Sequence, residues 1–119
     1  MKRFLPLVAA LALAAPLAAP ASTTATRLAA VTGPGMTITV KKAGTKVTRL
    51  TAGRYTITVS DKSPAHDFVL TGPGIRNRVI TGLAFRSSKT VTVTLNRGRY
   101  EYYCTPHRSM GMKGFITVR

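Results

Sequence analysis

The sequence predicts an all-β fold, a small sandwich or barrel of about seven or eight strands. Three observations lead there. Apolar residues recur at every second position in several short runs. Glycine- and proline-rich turn signals separate those runs. Beyond the N-terminal apolar stretch, no segment of useful length repeats at the helical period.

The elements follow in chain order. Residues 1–21 read as an export leader: Lys2 and Arg3 precede the apolar run FLPLVAALALAAPLAA, and Ala19-Pro20-Ala21 offers a cleavage site before Ser22. Pro6 and Pro16 interrupt the run and no charge follows at once, which argues against a membrane anchor. Residues 22–33 are expected to be a flexible lead-in, because STTATRLAA is polar or small. One domain is expected over 34–119. There Met36, Ile38 and Val40 alternate with threonines, as do Tyr55, Ile57 and Val59, and again Val91, Val93 and Leu95. That pattern puts apolar side chains on one face of a half-buried strand. Strands are expected over 36–41, 45–50, 54–60, 65–71, 77–81, 89–95, 99–104 and 113–118. The turn signals are GPG at 33–35, AG at 52–53, GPG at 72–74 and NRG at 96–98. The echo of VTGPG (31–35) in LTGPG (70–74) is too short for a repeat and reads as shared turn chemistry.

Composition narrows the function classes. The 98 residues from Ser22 onward suffice for one small domain. Without Lys2 and Arg3, 16 basic residues face Asp61, Asp67 and Glu101, a net charge of +13. Such a field favours acidic partners and allows peripheral contact with an anionic membrane surface. Nucleic acid is not expected, since the basic residues are scattered without a binding-motif spacing. Cys104 is the one cysteine, so no intrachain disulfide forms, and an exported thiol calls for a role as bridge, reactive group or ligand.

That cysteine lies in YYCTPHRSMGM (102–112), with one of the two histidines and two of the four methionines. In RYEYYC, Tyr100, Tyr102 and Cys104 share a strand face, so core-facing tyrosines would turn the sulfur inward. Thiolate, imidazole and thioether form a soft set suited to copper. A blue-copper site asks for two histidines and a cysteine with a weak axial methionine. The loop supplies Cys104, His107 and either Met110 or Met112; the other histidine is His66, 38 positions upstream. A thiol hydrolase fits less well, because Cys104 and His107 sit three apart in one turn, beside two methionines and with no orienting third group. An enzyme is therefore not expected.

The stretch CTPHRSMGM followed by KGFITV resembles the copper loop of the cupredoxins, the type 1 blue-copper family, in its plastocyanin and pseudoazurin branch, where C-x-x-H-x-x-x-x-M precedes the final strand. Tyr102-Tyr103-Cys104 is similar to the end of that family's preceding strand. AHDFVLTGPG is similar to the segment carrying its first histidine ligand. The resemblance covers roughly 54–119 and implies a Greek-key sandwich. It also implies one mononuclear type 1 copper held by His66, Cys104, His107 and Met112. Met110 matches the shorter loop of amicyanin-like members and is the alternative axial ligand. Asp67 departs from the family, which commonly has Asn there to tie the two loops together. A carboxylate accepts the same hydrogen bonds but adds negative charge beside the metal.

The function these readings imply is single-electron transfer, with His107 as the exit for the electron. The alternative is a copper-binding protein for storage or delivery. With Arg108 and Lys113 flanking the site, the expected partner is an acidic redox protein, a cytochrome or copper enzyme. An exported monomer, periplasmic, extracellular or at the cell envelope, completes the expectation.

Overall fold

The computed structural model describes residues 24–119, so the leader read over 1–21 lies outside the described residues. Ten strands form two five-stranded sheets. The first sheet holds β1 (Thr26–Thr32), β2 (Ile38–Lys42), β3 (Thr45–Lys46), β5 (Gly53–Asp61) and β8 (Ser88–Leu95), in the order β3-β2-β1-β5-β8. The second holds β4 (Arg49–Leu50), β6 (Phe68–Gly72), β7 (Ile75–Thr81), β9 (Gly98–Tyr103) and β10 (Lys113–Val118), in the order β4-β10-β9-β6-β7. The chain passes between sheets after β3, β4, β5, β7 and β8, as Greek-key connections require. The all-β sandwich expected from the alternating runs is what forms.

Alternation decides which side chains meet. Tyr55, Ile57 and Val59 of β5 face Tyr100, Tyr102, Ile116 and Val118 of the other sheet in one apolar core. Thr56 and Thr58 look outward; the Thr58 hydroxyl lies 2.9 Å from that of Thr90 on β8, and Ser60 lies 3.2 Å from Ser88. Tyrosines also close the strand ends. The Tyr100 hydroxyl accepts from the Asn96 N–H four residues earlier and donates to the Pro73 carbonyl, a tyrosine corner that holds two loops. The Tyr55 hydroxyl makes the same backward reach to the Thr51 carbonyl, at 2.6 Å.

Three expectations need correction. Most of the supposed lead-in over 22–33 is β1, an internal strand of the first sheet, with Leu28, Ala30 and Thr32 buried. Only one of its inward residues, Leu28, is large and apolar, so the alternation is weak, and its parallel pairing with β5 leaves no local turn to announce it. The single strand over 45–50 is two short strands in different sheets. Val47 and Leu50 are both buried but three apart, which a period of two cannot satisfy. The strand expected from 65 begins at Phe68, leaving His66 and Asp67 in the loop before it.

Candidate metal centre

Strand pairing brings together what the sequence holds apart. β6 runs antiparallel to β9, with Val69 opposite Tyr103 and Leu70 opposite Tyr102. The loop before β6 therefore lies against the residues just after β9, and His66 meets Cys104. From Cys104 the chain enters a 3-10 helix, Thr105–Met110, with Pro106 in its first turn and Gly111 ending it at φ +90°, a left-handed conformation that favours glycine. Main-chain bonds close the loop on itself. The Cys104 N–H donates to the Met112 carbonyl at 3.1 Å, the Met112 N–H to the His107 carbonyl at 3.2 Å, and the His107 N–H to the Cys104 carbonyl at 3.2 Å.

Three donor atoms face one point. The Nδ1 atoms of His66 and His107 are 3.1 Å apart, and Cys104 Sγ lies 3.6 Å from each. A triangle with those sides has its centre about 2 Å from every corner, close to a metal–imidazole bond of about 2.0–2.1 Å. Cys104 is fully buried and His66 nearly so, while His107 is half-buried with part of its ring toward solvent. The methionines differ sharply: Met112 is 0 % exposed and Met110 63 %. Met112 is also bonded through its main chain to both Cys104 and His107. Two nitrogens and a sulfur in this tight trigonal array, with a buried thioether nearby in the chain, form a donor set that fits one copper ion.

The surroundings orient these donors. His66 Nε2 donates to the Pro34 carbonyl at 3.3 Å, which leaves the Nδ1 lone pair directed at the centre. Gly33, beside it, has no room for a side chain, because a Cβ would stand 2.7 Å from His66 Cδ2. Asp67 ties the two loops as the family's Asn would. Its carboxylate accepts from both the Thr105 N–H and the Thr105 hydroxyl, each at 2.6 Å, and its carbonyl accepts from the Thr32 hydroxyl. Burial pushes the Cys104 thiol up. The main-chain N–H groups of Asp67 and His107 pull it down, and the Asp67 carboxylate pushes it up again. A bound cation would offset that burial, since a coordinating thiol is deprotonated outright.

Of the residues read from the sequence, His66, Cys104 and His107 converge. Arg108 is not a free charge: its guanidinium grips Glu101 at 2.7 and 2.8 Å and lies 4.0 Å over the Tyr103 ring. Gly33, Pro34 and Thr105 went unread. The GPG at 33–35 was visible but passed for a turn, and its role depends on β1, which carries it to His66. Thr105 could have been suspected as a hydroxyl donor directly following the cysteine.

Comparison with known proteins agrees with this geometry. The sequence model of the family described as copper binding proteins, plastocyanin/azurin family, matches residues 35–119. A plastocyanin of Prochlorothrix hollandica is 43 % identical over 61 residues, which span 50 % of this chain and 42 % of that protein, less than half its length. Reduced rusticyanin is similar in fold, with a TM-score of 0.55 and 21 % identity over 78 % of each chain. A reduced single-substitution variant of amicyanin gives a TM-score of 0.51 and 18 % identity over 83 % of this chain and 88 % of that one.

Proposed function

Since the chain belongs to the plastocyanin/azurin family of copper-binding proteins, that is, to the cupredoxins, we propose that it carries single electrons through a copper ion held by His66, Cys104, His107 and Met112. One observation carries the reading: two imidazole nitrogens and one thiol sulfur surround a point at bonding distance from all three. Copper bound there supplies a one-electron couple between Cu(I) and Cu(II).

The chain's own residues do the rest. The Pro34 carbonyl and the Asp67–Thr105 bonds fix the ligand-bearing loops before any ion arrives, so little rearrangement accompanies a change of charge. Cys104 and Met112 are sealed from water, which leaves no open position for a substrate and supports a carrier over an enzyme. His107 alone reaches the surface from within the donor triangle and is the path by which an electron leaves. The overall field of +13 supports an acidic redox protein as the partner, with Lys113 the unpaired cation nearest the donors in sequence. The leader read over 1–21 supports export to the periplasm, envelope or medium.

The test is one equivalent of Cu(II) added to purified protein. An intense visible band near 600 nm (roughly), with slow loss of copper to a chelator, is the expected result for a copper–thiolate carrier. A colourless, freely exchanging ion would replace this reading with copper delivery.

A further inference from the structure

We infer that the end of the sandwich opposite the metal centre is a docking surface for a bilayer containing anionic phospholipid. This does not rest on the electron-carrier reading. Strand register defines the two ends. The pairs Thr32–Asp61, Phe68–Thr81 and Tyr103–Lys113 lie at the metal end, and the pairs Gly53–Leu95, Gly72–Ile75 and Gly98–Val118 at the other.

Basic residues collect at that second end from almost every segment reaching it. Lys42 finishes β2, beside Arg49 and Arg119. Arg49 and Arg99 flank Thr117 from either side, and Arg119 follows β10. Arg27 and Arg54 stand at the second positions of β1 and β5, while Arg76 and Arg97 lie beside the β6–β7 and β8–β9 turns. All eight side chains are exposed. They are eight of the sixteen basic residues after the leader, and no acidic side chain lies among them. Asp61 and Asp67 are at the metal end, and Glu101, midway along β9, is already taken by Arg108.

The kind of partner follows from what accompanies these charges. Protein interfaces centre on aromatic and methionine side chains. Here the large exposed apolar residues lie elsewhere: Met36, Leu83 and Met110 in loops at the metal end, Val79 and Phe115 at mid-strand positions. Single-stranded nucleic acid wants several exposed aromatic platforms, and the exposed aromatic beside these charges, Phe115, is already covered by the Arg99 guanidinium at 3.9 Å. A broad array of long cationic side chains suits a plane of negative headgroups, where each basic residue strengthens adsorption about fivefold. A shallow, open hollow of about 320 Å3 lies between Lys42, Arg49 and Arg119.

Sedimentation with vesicles can be measured on the exported protein, freed of the leader read over 1–21. Vesicles of phosphatidylcholine with roughly 30 % phosphatidylglycerol should carry the protein down, and neutral phosphatidylcholine vesicles should not. High salt should release it. The triple variant Lys42→Gln, Arg49→Gln, Arg97→Gln should weaken binding about a hundredfold. The equally discharged variant Lys62→Gln, Arg86→Gln, Lys89→Gln, at the metal end, should lose less than about threefold. Equal losses in the two variants, with unchanged unfolding midpoints, would overturn the proposal. So would failure to bind the anionic vesicles, including the case in which soluble polyphosphate binds instead.

Discussion

At the end of the sandwich where β6 begins and β9 finishes, side chains from distant segments turn inward and crowd three donor atoms within 3.6 Å of one another. At the other end, the same strands turn eight charged side chains outward. Convergence depends on neutral or acceptor groups that can tolerate burial, such as imidazole, thiol and the Asp67 carboxylate with its two hydrogen-bond donors. Divergence suits arginine and lysine, whose charges cannot be buried unpaired. One framework therefore supports a centre that must exclude water and a surface that must remain in it, and the two are separated by the length of the strands.

Substitutions can break or sharpen that contrast. Cys104→Ser should have the largest effect, abolishing the visible band and lowering copper affinity at least about a thousandfold while leaving vesicle binding intact. Absorption and chelator competition would check it. Tyr100→Phe tests the other end. It strips the Asn96 N–H and Pro73 carbonyl of their shared partner and should lower unfolding stability by about 2 kcal/mol in denaturant titration, with the copper spectrum unchanged. If the spectrum moved, the two ends would not be independent.

Gly33→Ala should act locally at the metal end. The new Cβ presses the His66 ring, in a backbone conformation of φ +76° that disfavours alanine, and copper affinity should fall about tenfold. The smallest effect is expected from Asp67→Asn. The loop tie survives, one negative charge near the ion is lost, Cu(I) gains relative to Cu(II), and the reduction potential should rise by roughly 50 mV in voltammetry, about 1 kcal/mol for one electron. A fall in potential would mean that the tie, not the charge, dominates.

How much of this was legible depended on whether the physics was local. The β5, β8, β9 and β10 runs announce themselves, because each alternates strongly and is bounded by its own turn. The donor set was readable for the same reason, with three candidates in one loop and only one further histidine in the chain. β1 was not readable. Its partner β5 begins more than twenty residues after β1 ends and pairs with it in parallel, and only Leu28 of its inward positions is large and apolar, the others being Ala30 and Thr32. The scaffolding of His66 was hidden with it, since a Gly-Pro-Gly turn looks alike whether or not a ligand rests on it. Arg108 was misjudged because Glu101, seven residues away on β9, neutralises it only once the helix has folded back.

The position of β1 decides where this protein can be trimmed. It alone joins β2 to β5, so a fragment starting at residue 35, where the match to the family's sequence model begins, would be left with two detached ribbons in place of a continuous first sheet. The same cut would take away the carbonyl that steers His66. Shortened expression of this chain should therefore start no later than Thr26, although the family's sequence model matches only from residue 35.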